Sequence, residues 1–109
     1  MKTSDLTGPA LDWAVAKCEG VEFTYEEHPA HELIVFQYST DWAQGGPIIQ
    51  REKIDVMWCG DRWCAYAMTP DGESQLMDEG HTPLIAAMRC FVASKLGDEV
   101  EIPKELKVA

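Results

Sequence analysis

Residues 54–66 read IDVMWCGDRWCAY. The two flanking runs are rich in residues that favour strands, and Gly60-Asp61 suits a two-residue turn. The segment therefore predicts an antiparallel β-hairpin. In such a hairpin Trp58 lies opposite Trp63, and aromatic pairs of this kind stabilise a sheet by about 0.2–1 kcal/mol.

Downstream of the hairpin, residues 82–96 predict a helix. Thr82 is its N-cap and Gly97 ends it. Small residues occupy the side opposite the apolar stripe, so neighbours can approach closely and we expect the helix to be covered on two sides. Five apolar side chains are expected to be buried: Leu84, Ile85, Met88, Phe91 and Val92.

Upstream of the hairpin, residues 8–19 predict another helix. Thr7 is a suitable N-cap, and Pro9 falls in the first turn, where its missing N–H has no helical partner to lose. Leu6 and Leu11 occupy the positions of a hydrophobic staple. Gly20 is the natural end of this helix.

The remaining segments give weaker patterns. Alternation over residues 21–25 and the apolar run 33–36 predict strands. A helical turn is predicted over 41–44, with a second start near Pro47, because Gly45-Gly46-Pro47 weakens a continuous helix. The acidic stretch 68–80 is interpreted as a loop, and the alternation over 99–103 as a short edge strand.

The change between helical and strand periodicity predicts an α+β fold. We expect one domain over residues 1–109, in which an antiparallel, hairpin-containing sheet is packed by two main helices plus a short helix. The length of 109 residues suits one domain, and a hydrophobic fraction of 46% is normal for a globular chain.

The charge of the chain excludes one class of function. Nine basic residues stand against 19 acidic ones, for a net charge of −10. Phosphate backbones are bound by basic patches, so general nucleic-acid binding is not expected. An acidic surface steers a protein toward basic partners, and one such surface is predicted around Asp71, Glu73, Asp78 and Glu79. With no apolar stretch near the roughly 18 residues of a membrane span and no signal peptide, we expect a cytoplasmic protein without membrane association.

Cysteine and histidine spacing predicts no metal site and no cofactor. Cys18, Cys59, Cys64 and Cys90 form no CxxC pair, so we expect four reduced thiols. His28-Pro29-Ala30-His31 has a metal-like spacing. Because Pro29 disturbs the helical geometry that would aim both rings at one ion, a solvated loop is the preferred interpretation.

Residues 38–47 read YSTDWAQGGP and are the best candidate for a site. Adjacent glycines let a ligand approach the backbone, and helix starts leave N–H groups that attract anions. Thr82 marks a further helix start, Arg89 borders the apolar stripe, and tryptophans such as Trp42 could stack on a base. The predicted ligand-binding residues are Tyr38, Ser39, Thr40, Asp41, Trp42, Gln44, Gly45, Gly46, Thr82 and Arg89. The same residue types also form helix caps and kinks, and that alternative stays open.

Three blocks of the chain resemble the NinX-like proteins of lambdoid phages and prophages: LDWAVAKCEG at 11–20, YSTDWAQGGPII at 38–49, and residues 82–100 beginning TPLIAAMR. The Tyr38 block, the hairpin tryptophans and the Pro83-Leu84 helix start are also similar to small phage ABA-sandwich domains. The resemblance implies a phage accessory protein expressed in the host bacterial cytoplasm. It carries no catalytic residues.

Motifs for catalysis are sparse. The chain has no phosphate-loop lysine motif, no Gly-x-Ser-x-Gly and no His-Glu-x-x-His, so a non-enzymatic role is favoured. The first hypothesis is a phage accessory protein that binds and sequesters a small nucleotide-like ligand, in a counter-defence role. The second is an acidic phage protein that binds and modulates a host protein. The third is a small hydrolase. The oligomeric state is left open.

Overall fold

The computed structural model describes residues 1–21, 36–69, 72 and 75–103. Along these residues lie a 3-10 turn (Thr3–Asp5), α1 (Gly8–Cys18), α2 (Trp42–Glu52), β1 (Asp55–Trp58), β2 (Trp63–Met68), β3 (Gln75–Gly80) and α3 (Pro83–Leu96). The three strands form one antiparallel sheet in the order β1-β2-β3. The α+β prediction is confirmed, whereas most of the strands predicted over 21–25 and 33–36, namely residues 22–25 and 33–35, falls outside the described residues.

The predicted hairpin is β1 and β2. Trp58 pairs with Trp63 in the register, and their rings meet edge to face with centroids 5.4 Å apart. The backbone N–H of Cys59 donates to the carbonyl oxygen of Arg62 at 2.8 Å, which closes the turn. Gly60 occupies this turn with a positive φ of 96°, a conformation that glycine adopts without strain.

The third strand corrects the prediction of a loop over 68–80. Its inward positions are Leu76, Asp78 and Gly80, and its outward positions include Met77 and Glu79. A half-buried strand ordinarily shows apolar residues inward and polar residues outward. Here two of the three inward positions are not apolar, so the alternation that marks a strand is hidden in the sequence.

The helix α3 is the centre of the fold. It packs on the sheet through β2 and β3, and α1 and α2 contact it as well. The expected coverage on two sides is therefore observed. Leu84, Met88, Phe91 and Val92 are buried as predicted. Ile85 is only half-buried, because it packs at the edge of the sheet against Gly80, where an added Cβ would lie 2.7 Å from the Ile85 Cγ2.

The helix α2 runs without interruption from Trp42 to Glu52, so the predicted break at Gly45-Gly46-Pro47 is wrong. Pro47 lies within the second turn and removes only the bond that its own N–H would donate to Ala43. Asp41 caps the helix, which helps it to start ahead of the glycines. The third helix is thus 11 residues long, the same length as α1, rather than a short helix.

The first and last described segments are tied together. The Thr3 hydroxyl donates to the Gly97 carbonyl oxygen at 2.7 Å. Lys2 and Glu99 form an isolated β-bridge, so the edge strand predicted at 99–103 is reduced to one bridge. The alternation there still has a structural meaning, since Val100 and Ile102 are buried. Among the described residues, no helix is long and apolar enough to cross a membrane.

Candidate functional site

Ser39, within the predicted ligand segment, is turned into the protein. Its backbone N–H and its hydroxyl both donate to Oδ1 of Asp12, at 2.8 and 2.7 Å. Both residues are buried. Burial raises the pKa of the Asp12 carboxyl, and the hydrogen bonds from Ser39 act in the opposite direction. This pair joins α1 to the turn that precedes α2.

Asp41 and Gln44 stabilise the start of α2. The Asp41 carboxylate accepts a hydrogen bond from the Ala43 N–H at 2.9 Å. The Gln44 side-chain oxygen accepts from the Gln37 N–H, also at 2.9 Å, and thus holds the residues before the helix. In a capping box the glutamine would bond the N–H of the cap residue itself, so this arrangement is a variant of that motif.

The two adjacent glycines have different surroundings. A Cβ on Gly45 would lie 2.4 Å from the Tyr38 carbonyl oxygen and 2.6 Å from the Leu84 Cδ2, so this glycine lets α2 approach α3 closely. A Cβ on Gly46 would meet only the Trp42 ring, at 3.8 Å, which is an ordinary contact. Of the two, Gly46 is therefore the one with space beside it.

Thr82 and Arg89 also have partners inside the protein. The Thr82 hydroxyl oxygen accepts from the Ile85 N–H at 3.1 Å and caps α3. The Arg89 guanidinium donates through Nε to the Leu6 carbonyl oxygen and through Nη1 to the Glu79 carbonyl oxygen, each at 2.7 Å. Arg89 thereby ties the segment before α1 to β3.

The structure brings together part of the predicted ligand set. The contact between Gly45 and Leu84 places the start of α3 beside residues 38–47, but Arg89 bonds to partners elsewhere. Tyr38 is half-buried, Thr40 is exposed, and Trp42 is 55% exposed at the start of α2. Trp63 and Tyr66 lie on opposite faces of the sheet, so these two rings cannot stack on the same base. Ligand binding at these residues stays a prediction.

The predicted acidic surface is corrected at one position. Asp78 is only 7% exposed, because its side chain points inward from β3. Burial raises the pKa of its carboxyl, and the nearby positive charge of Arg89 opposes that shift. Glu79 forms an ion pair with Arg62, whose guanidinium also bonds Asp61 at 2.6 Å. Asp71 and Glu73 fall outside the described residues.

One face of the sheet points away from α3 and is here called the outer face. It consists of the residues that point away from α3: Asp55, Met57, Cys64, Tyr66, Met68, Gln75, Met77 and Glu79. Met57, Met68 and Met77 are 50%, 49% and 51% exposed. Tyr66 is half-buried between its strand partners Asp55 and Met77. Half of each methionine is thus presented to solvent.

A shallow hollow of about 410 Å³ opens beside Tyr66. It is lined by Asp55, Val56, Met57, Tyr66 and Gln75. This volume falls within the range of about 300–1,000 Å³ that is typical of binding clefts. The hollow combines one carboxylate, one aromatic ring, one amide and one thioether, so it has both charged and apolar lining.

The four cysteines, all among the described residues, are unpaired. Burial raises the pKa of Cys18 to about 11 and that of Cys90 to about 12. Cys59 and Cys64 touch at the hairpin, and their hydrogen bond raises the pKa of the Cys64 thiol. No three histidine, cysteine or acidic residues in the described part of the chain are grouped to hold a metal. Reduced, metal-free thiols stay a prediction for solution.

The sequence reasoning missed the outer face, although a signal for it was present. Once Trp58 is paired with Trp63, the strand alternation places Met57 and Tyr66 on the opposite face from the two tryptophans. No such signal pointed to Met77 as part of the outer face, because residues 68–80 were predicted to form a loop.

The described residues define a small α+β domain whose outer face presents three half-exposed methionines. Comparison with known families gives a more specific answer. The chain belongs to the family described as Bacteriophage P22, NinX, whose model matches residues 2–95. A comparison with curated proteins gives no match. The family membership confirms the resemblance to the NinX-like proteins and supports a phage accessory protein.

Proposed function

We propose that this phage accessory protein acts on the host by binding a host protein through the outer face and modulating it. The observation that carries the proposal is the half-exposure of Met57, Met68 and Met77 on the same face of the sheet. Methionine side chains adapt to different partners, and methionine and tyrosine are enriched at protein interfaces. Contiguous apolar patches on soluble proteins commonly have a binding function.

The charge of the chain supports a partner with basic residues around an apolar surface. The net charge of −10 attracts positively charged surfaces over several ångströms and raises the rate of encounter. Among the described residues of the outer face and the hairpin turn, the carboxylates of Asp55, Asp61 and Glu79 accompany one guanidinium, that of Arg62. Exposed methionines beside an excess of carboxylates complement a partner surface that is both basic and apolar.

The test compares three forms of the immobilised protein in a bacterial lysate. The first is the wild type, the second is Met68→Thr with Met77→Thr, and the third is Trp42→Ser. Threonine suits strands and removes the thioether, so the sheet should persist. Trp42 is a matched control, because it is similarly exposed but lies on α2 and not on the sheet.

The proposal expects one host protein to be retained by the wild type and by Trp42→Ser, and to be lost from the methionine variant. Addition of that protein should then slow hydrogen exchange in β1 and β3 and leave α2 unchanged. Equal retention by all three forms, or protection confined to α2, would overturn the proposal.

A small nucleotide-like ligand is the second candidate, and the exposed ring of Trp42 beside the start of α2 favours it. Internal hydrogen bonds already occupy Ser39, Asp41 and Arg89, which weakens this candidate. Mass spectrometry of small molecules from the same three forms tests it. A metabolite held by the wild type and lost only from Trp42→Ser would make this candidate, with its counter-defence role, the better proposal.

A small hydrolase receives no support from the described residues. A nucleophilic thiol needs a lowered pKa, whereas those of Cys18, Cys64 and Cys90 are raised. The Ser39 hydroxyl donates to a buried carboxylate, and the Ser94 hydroxyl donates to the Phe91 carbonyl oxygen at 2.6 Å.

A further inference from the structure

The hollow on the outer face contains the carboxylate of Asp55. Asp55 is exposed, and within the described part of the chain it makes no ion pair and accepts no hydrogen bond. The neighbouring acidic side chains differ, because Asp61 and Glu79 both bond Arg62. Among the described residues, no ion pair therefore compensates the charge of Asp55.

An aromatic ring lies beside this carboxylate. Asp55 and Tyr66 are direct partners in the register of β1 and β2, so their side chains project from the same face. Direct cross-strand partners have Cβ atoms about 4.5–5.5 Å apart. A cation placed between them would meet the carboxylate on one side and the ring on the other, and both interactions favour positive charge.

We infer that this hollow binds an arginine side chain of the partner protein. Its planar guanidinium suits both a carboxylate and an aromatic face, and Met57 offers apolar surface for the aliphatic stem. The Gln75 side chain supplies an amide oxygen that can accept a further N–H. A phosphate would be repelled by Asp55, so the same hollow disfavours a nucleotide.

The inference rests on the proposed function and names the residue type that the outer face selects. The partner would present an arginine next to apolar side chains, which then contact Met77 and Met68. The arginine sets the register of the complex, and the methionines supply the apolar contact area.

The experiment uses two small probes and the full, isotope-labelled chain. One probe is acetyl-arginine-amide, and the other is acetyl-citrulline-amide, which has nearly the same shape without the charge. Chemical shifts of backbone amides are followed during titration of wild type, Asp55→Asn and Asp61→Asn. The last variant is a matched control, because Asp61 is an exposed carboxylate of the same hairpin that already bonds Arg62.

The arginine probe is expected to shift the amides of residues 55–57, 66 and 75 in the wild type. Citrulline should bind about tenfold more weakly, since it loses both the ion pair and the cation–π interaction. Asp55→Asn should weaken arginine binding about three- to fivefold, and Asp61→Asn should leave it unchanged. Equal binding of both probes, or equal effects of the two variants, would overturn the inference.

The lysate experiment separates this inference from the proposed function. A host protein that is lost from Met68→Thr with Met77→Thr but bound normally by Asp55→Asn would leave the proposed function standing and remove the arginine site. Charge-selective probe binding without any host protein held by the outer face would support the arginine site and overturn the proposed function.

Discussion

The turn before α2 and the outer face use their side chains in opposite ways. At the turn, Ser39 and Asp12 are polar, buried and bonded to each other. On the outer face, Met57 and Met77 are apolar and about half exposed. Buried polar groups are ordinarily hydrogen-bonded, and contiguous exposed apolar patches commonly have a binding function. In these two regions a bonded polar pair therefore lies inside the protein, and apolar side chains lie partly outside it.

Replacement of Arg89 tests how much internal polar hydrogen bonds contribute to stability, and it has the largest expected effect. Arg89→Ala removes two hydrogen bonds to the carbonyl oxygens of Leu6 and Glu79. Bonds to charged groups contribute about 1.5–3 kcal/mol each, so we expect the free energy of unfolding to fall by about 3 kcal/mol in urea denaturation. Arg89→Met keeps most of the aliphatic stem and should lose nearly as much. A loss below about 1 kcal/mol would mean that these bonds add little to stability.

The two adjacent glycines sharpen the comparison, because only one of them is enclosed. Gly45→Ala forces a Cβ against the Tyr38 carbonyl oxygen and the Leu84 side chain, and overpacking of this kind lowers stability by about 1–3 kcal/mol. Gly46→Ala meets only an ordinary contact and should raise stability by about 0.5–1 kcal/mol through helix propensity. Thermal melts of the two variants should move in opposite directions. Shifts of the same sign would contradict the packing described for α2 and α3.

Asp78 offers a test by pH. Its folded-state pKa is raised from the ordinary value of 3.8, chiefly by burial. The stability that this group contributes is present at low pH and is lost as the pH rises through the folded-state pKa. Asp78→Asn keeps an oxygen for the Glu79 N–H and does not titrate. The free energy of unfolding of Asp78→Asn relative to wild type should therefore increase as the pH rises from about 3 to about 7. Urea unfolding at both pH values checks this, and a difference that is constant with pH would be the contrary result.

The methionines give the smallest expected effect on stability. Met68→Thr with Met77→Thr should change the free energy of unfolding by no more than about 0.5 kcal/mol per site, because both side chains are half exposed. The buried Met88 is the control, and Met88→Thr should destabilise by about 2–5 kcal/mol. Similar losses at the exposed and buried positions would show that the outer face is part of the core.

The hairpin and α3 were predictable because their signals are local. A two-residue turn fixes the register of Trp58 and Trp63, and the Thr82 cap with Gly97 bounds α3. The third strand was not predictable, since Asp78 and Gly80 hold inward positions for reasons that depend on α3. Gly80 lies where Ile85 and the α3 backbone approach, and no local pattern shows that contact.

The candidate site was predictable only in part. Asp41 and Thr82 are helix caps, an alternative that the sequence itself left open. Ser39 bonds Asp12, 27 residues away, and Arg89 bonds Leu6, 83 residues away, so the sequence could not distinguish these internal bonds from ligand bonds. The outer face depends on the register of all three strands, of which the sequence supplied two.

The position of the contacts along the chain has a consequence for folding kinetics. The strands and α3 follow one another closely and pack on each other, so they can assemble with short loop closures. The bond from Thr3 to Gly97 spans 94 residues and can form only after that assembly. Thr3→Ala should therefore speed unfolding and leave the folding rate nearly unchanged, whereas Gly80→Ala should slow folding. The sheet with α3 would then be the nucleus, and the first residues of the chain would be the last to join it.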